Sequence, residues 1–333
     1  MNFKIKSKFN IKQKINSVIH GDALETLKKF PSECIDCVIF SPPYWQLRDY
    51  KFKGQWGLEK TPDEYLKNLW SLMDELKRVL KQRGTVWINL GDTYGTQSGS
   101  CRGKKYNSET TMERRENGNM LLKNKSLHKS LLMLPHRFAI GCTERGWLVR
   151  NNIIWAKSNG MPESVHDRFS KKHEFIFLLA KNKKYYFDLD SIREPHKASS
   201  IERVKRGWNG HREAKSSYMN MDIKMMCHPL GKNPGDVTDF WSIPTIPSND
   251  KHYAKYNTRL ITKPILAGCP KNGIVLDPFC GTGTTGIKAL ELGRKFIGID
   301  GKKAYCKIAE RNLKQQLSTL PINKWRAKTR LNK

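Results

Sequence analysis

The apolar run Cys37-Val38-Ile39-Phe40 stops at Ser41-Pro42-Pro43-Tyr44. Each proline locks φ and lacks an N–H, and the residue ahead of a proline is pushed toward extended geometry. A strand over 35–40 must therefore end here, and the turn must present carbonyl groups with few local donors. Ser41 adds a hydroxyl and Tyr44 a flat ring. The combination suits a planar base whose exocyclic amino group donates hydrogen bonds. A plain turn closing a core strand uses the same residues.

Strand-like and helical patterns alternate on either side of that turn. Ser17-Val18-Ile19-His20 reads as a short strand, and after Gly21-Asp22 the residues Leu24, Leu27 and Phe30 recur at near-helical spacing. An amphipathic helix is expected over 62–81, with Pro62 in its first turn and Tyr65, Leu69, Leu72, Leu76 and Leu80 along one face. Residues 85–90 read as a strand, 135–146 as a helix and 149–155 as a strand. Residues 174–180 and 184–187 read as a paired hairpin. From Arg259 a helical segment leads into a buried strand over 274–276, a glycine-rich loop, a helix to Leu292, and a strand over 295–299 ending at Asp300. This alternation predicts an α/β domain on a mostly parallel sheet.

Lys and Arg number 61 against 31 Asp and Glu, a formal net charge of +30. That excess points to a polyanionic partner, nucleic acid ahead of a membrane surface, although a lysine-rich composition accounts for part of it. Basic residues crowd two loop-rich stretches. One is about 95–130, with Arg102, Lys104, Arg114 and Arg115; the other is 190–236, where Arg206, Trp208 and Arg212 interleave charge with an aromatic ring. No segment reads as a membrane span, and no apolar stretch follows the basic N-terminus, so a cytoplasmic protein is expected. The length of 333 residues suggests one large domain or two modest ones. Of the eight cysteines, Cys37, Cys142, Cys280 and Cys306 sit in apolar or helical stretches. Cys34 and Cys37 form one C-x-x-C without a second pair, so no metal is expected.

The second motif is Asp277-Pro278-Phe279-Cys280-Gly281-Thr282-Gly283-Thr284-Thr285-Gly286, between a strand and a helix. Glycines there let a ligand approach the backbone at a helix N-terminus. Asp300, at the end of the next strand, stands where an acid reaches the ribose hydroxyls of an adenine nucleotide. The spacing satisfies G-x-G-x-x-G, which also occurs in nicotinamide dehydrogenases. It is not a P-loop, because Ile287 follows Gly286. The ligand is a dinucleotide or S-adenosylmethionine, and a dehydrogenase has no use for the 41–44 turn. Asp22 either holds the adenine amino group or N-caps the following helix, with Glu25 completing a capping box.

Together these residues resemble the DNA amino-methyltransferases, specifically the β-ordered N4-cytosine group of restriction–modification systems. Ser41, Pro42, Pro43 and Tyr44 match that family's catalytic motif. Asp277, Phe279, Gly281, Gly283 and Thr284 match its Asp-Pro-Phe-x-Gly-x-Gly-Thr cofactor motif, Asp300 its ribose-binding acid and Asp22 its Gly-Asp. Trp155-Ala156-Lys157-Ser158-Asn159, Pro162 and His252-Tyr253-Ala254 also look like family sequence. The catalytic motif precedes the cofactor motif, the circular permutation of the β group.

The resemblance implies a Rossmann-like S-adenosylmethionine-dependent methyltransferase fold with a mostly parallel seven-stranded sheet. Residues 1–187 would form the catalytic part, 188–250 an inserted recognition region with Arg206, Trp208 and Arg212 as candidate readers, 251–316 the cofactor part and 317–333 a basic tail. It implies methyl transfer to N4 of a cytosine flipped out of double-stranded DNA, without metal or covalent intermediate. A cognate restriction endonuclease is the implied functional partner, and the state is monomer or homodimer. In this family Asp in place of Ser41 accompanies N6-adenine methylation, so an N6-adenine enzyme is the alternative. An RNA or protein-amide acceptor and a non-catalytic DNA-binding regulator are further alternatives. C5-cytosine methylation needs a Pro-Cys nucleophile, and no cysteine here follows a proline.

Overall fold

The structure, a computed structural model, describes residues 9–95, 129–206, 228–234, 239–246 and 257–319. Its strands are β1 (Ser17–His20), β2 (Ile35–Phe40), β3 (Leu80–Leu90), β4 (Leu148–Ala156), β5 (His173–Ala180), β6 (Phe240–Ser242), β7 (Ile274–Asp277) and β8 (Lys295–Asp300). They form one sheet in the order β1-β8-β7-β2-β3-β5-β4-β6. β1, β8, β7, β2 and β3 run parallel. β5 runs antiparallel to both β3 and β4, and β6 pairs parallel with β4. The helices are α1 (Ala23–Leu27), α2 (Pro62–Val79), α3 (Leu134–Glu144), α4 (Ala198–Arg206), α5 (Arg259–Gly268), α6 (Thr284–Glu291) and α7 (Lys303–Thr319).

Strand side chains alternate between two cores, one on each face of the sheet. Val38 and Phe40 of β2 pack with Leu27, Leu69 and Phe138 from α1, α2 and α3. Cys37 and Ile39 point the other way, with Ile265, Leu290 and Leu313 from α5, α6 and α7. β5 is buried on both faces, which explains why Phe175 to Ala180 read as one unbroken apolar run.

Three expectations are revised. The sheet has eight strands, not seven. The added strand β6 is three residues long, too short for an alternating pattern, and lies within the 188–250 region. Residues 184–187 form no hairpin with β5, because both edges of β5 are taken by β3 and β4. The expected helix over 62–81 stops at Val79, and β3 starts at once with Leu80. Most of the basic stretch at 95–130, Trp208, Arg212, residues 252–254 and the tail beyond 319 lie outside the described residues, while 317–319 close α7. Arg206 closes α4.

Arg294 ties the start of β8 to the end of α5. It is 5% exposed and donates to the carbonyls of Cys269 (2.9 Å), Leu292 (2.7 Å) and Leu266 (3.3 Å). Two of those carbonyls belong to the end of α5, where a helix leaves acceptors without internal partners. Arg294→Met should cost about 2–4 kcal/mol, because buried carbonyls lose their donors. Urea denaturation would check this, and an unchanged midpoint would contradict it.

Candidate active site

A cleft of about 760 Å³ opens where the parallel strands end. Its walls come from the turns after β1, β2 and β7 and from the end of β8, the edge at which open α/β sheets hold ligands.

One half of the cleft is built by the glycine-rich loop. Asp277 is 1% exposed; its Oδ1 accepts the Phe279 N–H at 3.0 Å and its Oδ2 accepts the Thr285 hydroxyl at 2.5 Å. It faces into the loop rather than the cleft. Gly283 starts α6 with φ +88°, and a Cβ there would lie 3.1 Å from Ala309 Cβ. Gly281 differs: its φ is +52° and the space where a Cβ would stand is open. Gly281, Phe279, Thr284 and Asp300 line the cleft, whereas Asp277 and Gly283 hold the loop that presents them. Asp300 accepts the N–H of Gly281 at 2.9 Å and of Lys302 at 2.8 Å. Burial nevertheless pushes its carboxyl above the ordinary range.

Asp22 is the N-cap of α1 and also borders the cleft. Its Oδ1 accepts the Glu25 N–H at 3.0 Å. The capping box is one-sided, since the Glu25 side chain pairs with Lys28. The other Asp22 oxygen accepts the indole N–H of Trp56 at 2.7 Å. Trp56 in turn meets Phe279 edge-on, ring centres 5.3 Å apart. Trp56 carried no sequence signal, because residues 45–60 show no periodicity.

The other half of the cleft holds the 41–44 turn and a buried acid. The Ser41 hydroxyl lies 3.3 Å from the Tyr44 hydroxyl, and Tyr44 donates to Glu174 Oε2 at 2.6 Å. Asn89 Nδ2 donates to the same oxygen at 2.9 Å, and Lys157 pairs with Oε1. Glu174 is 9% exposed and stands at the start of β5. Because β5 runs backwards, its start lies at the edge where β3 and β4 end, with Glu174 opposite Trp155. The carboxylate, paired with an ammonium, only accepts. Tyr44 therefore donates to it, and the Tyr44 oxygen takes the Ser41 proton. Ser41 is left to present lone pairs. Burial, and then the Glu174 charge, hold the Tyr44 phenol well above its ordinary pKa, so it stays a neutral donor. The turn is legible in the sequence, Lys157 only as part of the 155–159 run, and Glu174 and Asn89 carry no sequence signal of their own. Among the described residues, no group of three or more His, Cys, Asp or Glu could hold a metal ion, and no helix is long and apolar enough to cross a membrane.

Comparison with known proteins agrees with this geometry. A DNA methylase family, the N6/N4 methyltransferases, matches residues 35–311. Type II methyltransferase M.SmaI of Serratia marcescens is 36% identical over 297 residues, covering 89% of this chain and 90% of that protein. M.Cfr9I of Citrobacter freundii is 35% identical over 298 residues, covering 89% and 87%. Among solved structures, PvuII DNA methyltransferase (cytosine-N4-specific) shares the fold with a TM-score of 0.56 at 17% identity, covering 91% of each chain. A putative DNA modification methylase of Thermus thermophilus, complexed with S-adenosyl-L-methionine, does so with a TM-score of 0.54 at 20% identity, covering 91% and 97%. The family match takes in the 41–44 turn and the 277–286 loop together, and the relatives are covered over most of their length. The chain therefore belongs to the N6/N4 DNA methylase family and is a DNA amino-methyltransferase related to the type II enzymes.

Proposed function

We propose that this enzyme binds S-adenosylmethionine in the half of the cleft bounded by Asp22 and Asp300 and methylates N4 of cytosine in double-stranded DNA. The observation that carries this reading is the direction of the Ser41–Tyr44–Glu174 chain. It leaves Ser41 as an acceptor, which fits an amino group and not a carbonyl.

The residues present suit the cofactor. Gly281 bares its backbone, Asp300 offers carboxylate lone pairs for hydroxyls, and Asp22 with Trp56 and Phe279 makes an acidic, aromatic slot for an adenine. When bound, S-adenosylmethionine supplies a methyl group activated by its sulfonium charge. Asp277 and Gly283 act by holding the loop, and Thr284 and Phe279 close its wall.

The target base must leave the stack to enter the cleft, which costs a few kcal/mol. The Tyr44 ring, fixed at its hydroxyl by Glu174, offers a stacking face worth about 1–3 kcal/mol. The exocyclic nitrogen is a poor nucleophile because its lone pair is delocalised into the ring. Acceptance of its N–H groups by Ser41 Oγ and the Pro42 carbonyl favours a pyramidal nitrogen and stabilises the positive charge that develops there. Pro43 completes the turn that aims both acceptors. Serine rather than aspartate at position 41 supports cytosine; adenine N6 is the alternative. The charge of +30 suits DNA phosphates, and Arg206, Trp208 and Arg212 are the proposed base readers. The type II relatives support a role in protecting host DNA beside a cognate restriction endonuclease.

Digestion of methylated DNA to nucleosides followed by mass spectrometry should yield N4-methylcytosine; N6-methyladenine alone would transfer the assignment to adenine. Ser41→Ala and Glu174→Gln should each lower turnover by roughly 10²–10³ while leaving S-adenosylmethionine affinity nearly unchanged in a titration. Parallel loss of both quantities would argue that these residues merely hold the fold. Asp300 gives a prediction with a definite sign. Its folded pKa is raised, so the stability it contributes is full below the ordinary carboxylate range and is lost as pH rises through the raised value. Asp300→Asn keeps one accepting oxygen where the Gly281 and Lys302 N–H groups need two, so it should lower the melting temperature of the cofactor-free protein, by less at pH 7 than at pH 4, and weaken the cofactor about tenfold or more. A destabilised variant with normal affinity would contradict the assignment.

A further inference from the structure

Residues 157–172, joining β4 to β5, carry the most exposed large apolar side chain among the described residues. Phe169 is 97% exposed, and Met161 on the same loop is 82% exposed. The loop springs from the rim of the cleft, between the lining residues Lys157 and Glu174. Its base is closed by the Lys157 N–H on the Lys172 carbonyl at 2.8 Å.

The loop is fastened at several points. The Arg168 guanidinium lies 3.8 Å from the centre of the Tyr94 ring and donates to Glu163 at 2.5 Å and to the Phe169 carbonyl at 3.1 Å. The Glu163 N–H donates to Ser170 Oγ at 3.3 Å, and Lys171 reaches the Asp92 carbonyl. A loop so fixed holds in water a ring that burial would favour. Both acids of the loop are taken up in ion pairs, Glu163 with Arg168 and Asp167 with Lys129. Of the remaining charged side chains, Lys157 is held by Glu174 and Lys171 by the Asp92 carbonyl, which leaves the exposed Lys172 to face phosphates.

We propose that Phe169 is a wedge: it inserts between base pairs of double-stranded DNA beside the target and fills the stack as the target base leaves, with Met161 as a second apolar contact. Apolar side chains that unstack a base step are a known physical device in DNA binding. This deepens the base-extrusion reading given above and rests on it. The rim of the cleft is where a base leaving the duplex must pass, and the loop's internal ties hold the ring out beside it, with Lys172 placed for a phosphate contact. Phe169 touches no part of the reacting group; it is a positioning residue.

The test compares the wild-type enzyme with Phe169→Ala on two duplexes carrying the enzyme's own methylation site, identified by sequencing DNA that it has methylated. One duplex is fully paired. In the other the target lies opposite an abasic position, so less must be broken to extrude it. Phe169→Ala should lower kcat/KM on the paired duplex by about tenfold or more, and stay within about threefold of wild type on the abasic one. S-adenosylmethionine affinity should be unchanged, which shows the variant folded. Phe169→Leu, which keeps an apolar wedge, should recover most of the loss. Wild-type rates on paired DNA, or an equal loss on both duplexes, would overturn the wedge. So would a shift from dimer to monomer in Phe169→Ala with methylation intact, which would assign the ring to a second copy of the chain. A wild-type enzyme that methylates the abasic duplex no faster than the paired one, with Phe169→Ala impaired on neither, would sink base extrusion itself and the wedge with it.

Discussion

Burying a carboxylate is tolerated only where cations and donors converge on it. Glu174 meets that demand with a hydroxyl from the 41–44 turn, an amide from β3 and an ammonium beyond the end of β4. Three segments far apart in the chain are thus held to one point. The same demand orients the site, because a group that can only accept forces Tyr44 to donate and leaves Ser41 with its lone pairs outward. The chemistry at the turn follows from an acid 130 residues away from Tyr44.

A similar division of labour governs the other half of the cleft. Asp277 and Gly283 turn inward, fixing the loop through Thr285 and through close packing on Ala309. Gly281 and Asp300 turn outward, joined by one hydrogen bond, so that bare backbone and a carboxylate face the cleft together. A motif in sequence mixes these two kinds of residue without distinguishing them. Parallel strands that stop at one edge bring the two halves face to face, which is why residues near 41 and near 281 share a single cleft.

Local patterns made much of this legible. β2, β7 and β8 announced themselves by short apolar runs ending in Pro, Gly or Asp, and α2 by its 3.6-residue stripe. β6 did not, because three residues cannot display a period. The aromatic run at 184–187 has the pattern of a strand, but the partner it would need already has two others. Glu174 carries no local signal for a related reason. A charged residue at the head of an apolar strand reads as a solvated boundary unless the direction of that strand is known.

By itself the sequence determined the alternation of elements, the two turns that end β2 and β7, and the acids Asp22 and Asp300 at strand ends. Those are properties of short stretches, set by periodicity, proline geometry and glycine freedom. Only the tertiary structure decided that β5 runs backwards between β3 and β4. That reversal brings Glu174 and Lys157 to Tyr44 and roots the loop that carries Phe169 at the rim of the cleft. Strand direction is a contest between whole faces and edges of the sheet, and no stretch of the chain read alone contains its outcome.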